Sequence, residues 1–145
     1  MNAPFAFPPA FIDFINPPEL YDPRPNGYTH TVVAHLPARI VYAAGQGGED
    51  ADGQLAPDFA VQVQQALANL RHALQAADAD IADVVKITAL VVDHSSERLR
   101  IFTAAWRALL GDWPPPACTL IPVPRLALDG MLFEIDAIAV LPPTA

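Results

Sequence analysis

Basic residues are scarce in this chain: eight lysines and arginines stand against sixteen acidic residues among 145, for a net charge of −8 and a pI near 4.6. A nucleic-acid backbone is gripped mainly through Lys and Arg, so no nucleic-acid partner is expected. Cysteine is nearly absent. Cys118 alone excludes an intrachain disulfide and agrees with a reducing compartment. No apolar run reaches the roughly 18–20 residues that span a bilayer, and the opening MNAPFAFPPAFIDF has no basic n-region and is broken by prolines. The expectation is a cytoplasmic protein with no membrane partner. Charged residues of all kinds make up only 17% against 52% hydrophobic, which points to apolar surface buried against other chains.

What is present divides into an arm, one domain and a short tail. Residues 1–26 hold seven of the sixteen prolines, interleaved with Phe5, Phe7, Phe11, Phe14 and Tyr21. Proline fixes φ and removes a donor, so this segment reads as an extended arm. Residues 27–141 form a domain of ordinary single-core size, and 142–145 are a tail. Two β runs, Thr31–Leu36 and Arg39–Ala44, flank Pro37-Ala38, which predicts a hairpin. A loop follows from Gly45 to Gly53. Val63, Leu67, Leu70 and Leu74 then line one face of a helix over Asp58–Ala77. Val84–Asp93 reads as a strand. Ser95 or Ser96 offers an N-cap for a second helix marked by Leu99, Phe102, Trp106 and Leu109 and stopped at Gly111. Ala117–Leu126 and Met131–Val140 read as strands joined at Asp129-Gly130, a hairpin-type dipeptide. The order β-β-α-β-α-β-β predicts an α+β fold with both helices on one face of a mixed sheet.

In the final strand Met131, Phe133, Ile135, Ala137 and Ala139 share one side and belong under the helices, since side chains alternate with period two. The other side carries Leu132, Glu134, Asp136, Ile138 and Val140. The strand at 84–93 repeats that mixture with Val84, Lys86, Thr88, Leu90 and Val92. Large aliphatics mixed with ionisable groups predict a subunit interface with polar groups kept for a site.

Several chemistries are weakly signalled. Glu49, Asp50 and Asp52 lack the full alternating acidic loop of a calcium site. His30 and His35 fall on opposite faces of one strand, and His72 and His94 have no neighbouring ligand in sequence, so no zinc site is expected. Gly45-Gln46-Gly47-Gly48 lacks the Lys-Ser/Thr of a phosphate loop. No metal or cofactor is expected.

Tyr42-Ala43-Ala44-Gly45-Gln46, the helix Gln62–Ala77, Asp83-Val84-Val85-Lys86-Ile87-Thr88, Pro116-Ala117-Cys118-Thr119 and Phe133-Glu134-Ile135-Asp136-Ala137-Ile138-Ala139-Val140 together resemble the RidA/YjgF family, often labelled endoribonuclease L-PSP. The resemblance runs from about Asn16 to Val140. It implies a chorismate-mutase-like fold, a homotrimer around a central β-barrel, and small-molecule clefts between subunits. Active members hydrolyse enamines and imines to a keto acid and ammonia. Position by position, it implies that Tyr28 closes the cleft and that the backbone around Gly45 forms its polar wall at the substrate, with Ala44 standing where the family often has a serine. Glu134 takes the place of the carboxylate that handles water, Thr119 and the Leu120 amide contact substrate, and Thr103 stands at an asparagine position of the second helix. Where the deaminases read Pro-Ala-Arg, this chain reads Pro116-Ala117-Cys118. A guanidinium grips a carboxylate through two charge-assisted bonds, and a thiol cannot copy that fork.

Two roles for Cys118 stay open at this stage, a small packing residue or a pocket thiol, with nearby carboxylates expected to keep it neutral. Without the arginine, the carboxylates of Glu134 and Asp136 have no assigned cation. Arg125 is seven residues beyond Cys118 and points to the opposite face unless a bulge intervenes. The expected function is a Rid-type pocket acting on an imine, enamine or related intermediate, other than a standard 2-aminoacrylate or 2-iminopropionate deaminase. A non-catalytic metabolite-binding trimer is the alternative. RNA cleavage conflicts with the acidic charge.

Overall fold

The structure, a computed structural model, describes residues 11–144. Phe5, Phe7 and the rest of residues 1–10 lie outside the described residues, as does residue 145. Six strands, β1 (Ile12–Ile15), β2 (Thr31–Ala34), β3 (Arg39–Gly47), β4 (Val84–Val92), β5 (Ala117–Val123) and β6 (Phe133–Leu141), accompany two helices, α1 (Phe59–Gln75) and α2 (Ser96–Leu110). The result is an α+β fold.

Both helices form where periodicity and caps place them. Asp58 accepts a hydrogen bond from the Val61 amide at 3.0 Å and opens α1. The stripe Val63, Leu67, Leu70 and Leu74 is buried. Asp78, at φ 58, bends the chain away after the helix, a left-handed conformation that Asp tolerates better than most residues. Ser95 caps α2 through the Arg98 amide, and Gly111 ends it at φ 60. On α2 the buried stripe is Phe102, Trp106 and Leu110, whereas Leu99 is 43% exposed.

The main sheet has the order β3-β6-β4-β5, with β4 and β5 parallel and the other pairs antiparallel. Both predicted hairpins are therefore corrected. β2 does not pair with β3; it forms a separate ribbon with β1, in register Ile12↔Ala34, so part of the predicted arm is a paired strand. β5 does not pair with β6 either. It lies beside β4 through the α2 crossover, as parallel neighbours require, and β6 inserts between β3 and β4.

Phe133, Ile135, Ala137 and Ala139 of β6 are all at most 2% exposed and meet the helices, as their alternation predicts. Phe133 packs edge-on to Phe59 of α1 and tilted against Phe102 of α2, with ring centroids 6.0 and 5.2 Å apart. Full burial of a side chain of this size contributes about 1.5–3 kcal/mol. Gln62 is buried in the same layer. It donates to the carbonyls of Ala56 (2.7 Å) and Gly130 (2.8 Å) and accepts from the Leu132 amide (2.8 Å), which fixes where β6 begins.

Two register shifts set up the opposite face. One falls between Val84 and Lys86 on β4. It turns Val84 into the core, at 1% exposure, and away from the face that strict alternation assigned to it. The other falls between Ala43 and Gln46 on β3. An extra residue in one strand bends it and re-aims the side chains around it. Here the bend lays Gly45 over β6.

Candidate functional site

The face away from the helices presents Lys86, Thr88 and Leu90 from β4, Glu134, Asp136 and Ile138 from β6, and Thr119 and Ile121 from β5. Leu132 packs partly against the core instead, and Val140 is buried. A cleft of about 140 Å³ opens here, lined by Gly45, Thr88, Leu90, Glu134 and Asp136.

The Glu134 carboxyl lies directly on the backbone of the β3 bulge. A Cβ placed on Gly45 would stand 2.1 Å from Glu134 Oε1 and 2.8 Å from Cδ, so only glycine leaves room for this carboxyl. Desolvation pushes the Glu134 pKa above the ordinary carboxylate value, and the neighbouring charges of Glu49 and Asp136 push it the same way. Asp136 accepts from the Thr88 amide at 3.1 Å, which ties β6 to β4 beside the cleft.

Glu49 does not line the cleft but its charge acts on Glu134, a neighbour that sequence reasoning missed, having placed it only in the loop from Gly45 to Gly53. Asn69 of α1 donates to the carbonyls of Gly47 (2.9 Å) and Glu49 (2.8 Å), and Glu49 bridges to Leu55, so the loop folds back against the sheet. The only sequence signal was an asparagine in a helix interior, a position where its short amide does little for the helix itself.

The structure brings Gly45 and Glu134 together, with Ala44 exposed at the same bulge. Other singled-out residues lie elsewhere. Cys118 is in register with buried Ile87 and packs on the helix side, as does the Leu120 side chain. Burial pushes the Cys118 thiol up to about 11, with the Lys86 ammonium opposing; desolvation, not nearby carboxylate charge, keeps it neutral. Thr103 belongs to α2, beyond the sheet from the cleft. Tyr28 packs edge-on to Tyr21 and His30, with its hydroxyl hydrogen-bonded to that of Tyr21, and does not line the cleft. Arg125 lies past the end of β5 and pairs with Asp129 at 2.8 Å. Thr119 faces the open side, where its hydroxyl meets Lys86.

A wider groove of about 540 Å³ runs between α1 and α2 and includes Leu67, Arg71, His72, Ala105 and Leu109. Its arginine is already held by Asp80 at 2.9 Å, and none of the site residues implied by the family resemblance lines it. Among the described residues no group of three His, Cys, Asp or Glu side chains is placed to hold a metal ion, and no helix is long and apolar enough to cross a membrane.

Comparison with known proteins identifies the family. Residues 22–141 match the family model described as Endoribonuclease L-PSP. A 2-iminobutanoate/2-iminopropanoate deaminase of Rattus norvegicus is 45% identical over 114 residues, covering 76% of this chain and 79% of that protein. Among solved structures, YyfB of Yersinia pestis, a Rid-family protein of unknown function, aligns with a TM-score of 0.85 at 38% identity, over 90% of this chain and 99% of that one. The YjgF gene product of E. coli aligns with a TM-score of 0.63 at 28% identity, over 70% and 80%. The two helices on a mixed sheet and these matches converge: the chain belongs to the RidA/YjgF, or endoribonuclease L-PSP, family.

Proposed function

We propose that this protein hydrolyses the C=N bond of a small imine, or of the imine tautomer of an enamine, with Glu134 as the group that handles water. The single observation that carries the reading is the Glu134 carboxyl, fixed against Gly45 in the cleft with its pKa raised. A carboxyl shifted toward the working pH can take a proton from the attacking water and return one to the departing nitrogen. The balance is R₂C=NH + H₂O → R₂C=O + NH₃: water adds its oxygen to carbon, the C–N bond breaks, and nitrogen leaves as ammonia. The rat relative's name supports the same reaction type. With Cys118 on the helix side and neutral, no guanidinium fork grips a substrate acid group at that position, so 2-iminopropionate is expected to be a poorer substrate here than for deaminases that carry the arginine.

The assembly in this reading is a cytoplasmic, chorismate-mutase-like homotrimer around a central barrel, with Tyr28, Thr103 and the Leu120 amide reaching the cleft from neighbouring copies. Supporting it, Ile40, Tyr42 and Ile121 on the open face are 44%, 75% and 43% exposed in the single chain, and covering such surface is worth about 25 cal/mol per Å². Light scattering is expected near three times 15.6 kDa; a mass of one chain at micromolar concentration would remove the inter-subunit cleft.

The test of function is a panel of imines generated in situ by an amino-acid oxidase. Accelerated keto-acid formation on at least one member, lost in Glu134→Gln, is the expected result. No acceleration on any member favours the second reading, a non-catalytic metabolite-binding trimer, whose supporting observation is the inward, neutral Cys118. RNA cleavage has no basic groove to support it among the described residues, and RNA degradation lost on Glu134→Gln would reverse that judgement.

A further inference from the structure

Lys86 is the chain's only lysine, and by strand register it is also the only basic side chain on the open face of the four-stranded sheet. Its ammonium donates to Thr119 Oγ1 at 2.7 Å and to its neighbour Ile87's carbonyl at 3.1 Å. An ammonium has three donors, so one is left over. Among the described residues no carboxylate lies within ion-pairing distance of it, although acidic groups share the face. Lys86 stands opposite Ile138, and Asp136 is the next residue on that side of β6, yet the lysine leans the other way, onto neutral Thr119 of β5.

The open face is therefore polarised. Glu134 and Asp136 stand over β6, with Glu49 at its β3 side, while the one cation stands over β5. The Glu134 carboxyl feels Glu49 and Asp136, with no cation among its perturbing neighbours. This ammonium, on a residue of intermediate burial, meets only neutral acceptors and so lacks a counter-charge. An anionic group at its free donor would complete the compensation.

We infer that Lys86, one pleat along β4 from Thr88 of the cleft lining, is an anion-binding group that takes the acid group of a ligand lying across the open face from the cleft, with Thr119 as the residue that positions it. The ligand class is then a small dipolar molecule, with an acid group over β5 and a C=N nitrogen toward the β6 carboxylates. The grip is a point charge with rotatable donors and lacks the bidentate geometry of a guanidinium. The assignment of the nitrogen end rests on the imine-hydrolysis reading; the anion grip does not.

One lysine gives one spectroscopic probe. Reductive ¹³C-methylation keeps the charge and yields a single dimethyl-lysine signal, identified by its loss in Lys86→Arg. Titration with 2-oxobutanoate is expected to move that signal, and the uncharged analogue butanone is not. Affinity for 2-oxobutanoate, measured on unmodified protein by calorimetry, is expected to fall about tenfold to hundredfold in Lys86→Met, as loss of one charged hydrogen bond requires. It is expected to persist in Lys86→Arg and to weaken with added salt. Equal affinity in Lys86→Met, equal binding of butanone, or no binding of 2-oxobutanoate by the wild type would each overturn the inference. If Glu134→Gln abolishes imine hydrolysis while Lys86→Met leaves its kcat/KM unchanged, this inference fails and the reading of function stands. Lys86-dependent binding in a protein that hydrolyses no imine leaves the grip standing and removes the hydrolase.

Discussion

The substitution Gly45→Ala separates placement of the Glu134 carboxyl from stability of the fold. The new Cβ would stand 2.1 Å from Glu134 Oε1, whereas nonbonded heavy atoms settle at about 3.5 Å or more, so the carboxyl must retreat by more than about 1 Å. A displacement of that size at a reacting group costs roughly a hundredfold in rate. The fold should hardly notice. Gly45 is not in the left-handed region that excludes alanine, and the atom that gives way is the end of a flexible side chain. Forcing that side chain off its rotamer costs about 0.5–1.5 kcal/mol, and replacing Gly by Ala where the backbone permits it returns about 0.4–1 kcal/mol. The expected outcome is a Tm within about 2–4 °C of wild type, together with a roughly hundredfold lower rate on the best imine of the panel. Wild-type turnover in a folded Gly45→Ala protein would refute the claim that this contact sets the geometry. A collapse in Tm would show that the bulge holds the sheet together instead.

Gln62→Leu leaves two buried carbonyls and the Leu132 amide without their partner; at about 1–3 kcal/mol for each orphaned group with partial relaxation, urea unfolding should show a loss of about 3–5 kcal/mol, and a loss below about 1 would refute the clamp. Glu134→Gln tests the raised pKa through stability. The fold favours the protonated carboxyl, so its contribution is fully present below the unfolded value of 4.5 and fades as pH rises through the higher folded value. The Gln variant should therefore melt higher than wild type at neutral pH and match it in acid, and a gap that is unchanged or reversed between the two would contradict the shift. Cys118, with its thiol at about 11, should be alkylated by iodoacetamide at pH 8 about a hundredfold more slowly than a free cysteine of ordinary pKa, because the thiolate is the reacting form. Labelling of the native protein at the free-thiol rate would place the sulfur elsewhere.

Local features were legible in the sequence and pairings were not. Asp58, Ser95 and Gly111 act within a turn of the residues they cap, and the α1 stripe repeats at the period of the helix, so both helices are written in short windows. The same holds for Phe133, Ile135, Ala137 and Ala139. Strand partners are set at long range. Pro37-Ala38 and Asp129-Gly130 look like hairpin turns, yet the strands beside them bond to segments far away in sequence, because the sheet gains most by burying β6 on both edges. The bulges at Val84 and Gly45 are invisible to strict alternation, which assumes one residue per pleat. In the site, Glu134 stood out as a carboxylate in an apolar strand. Glu49 did not, since its approach depends on Asn69 holding a loop, and Lys86 was placed on the right face but left out of the charge balance.

The place of β6 between β3 and β4 also governs the order of assembly. Arg39 bonds across to Leu141 and Val84 to Ala139, so the sheet lacks its middle until the last strand in sequence has been made. Before then β3 has no strand beside it and β4 has only β5, each offering a free edge of the kind other chains can join. Long-range pairing of this sort makes folding slow and exposes it to aggregation while incomplete. Synthesis from the N-terminus thus delivers the keystone last, and a nascent chain stalled before Phe133 is expected to depend on chaperones far more than one missing its first few residues.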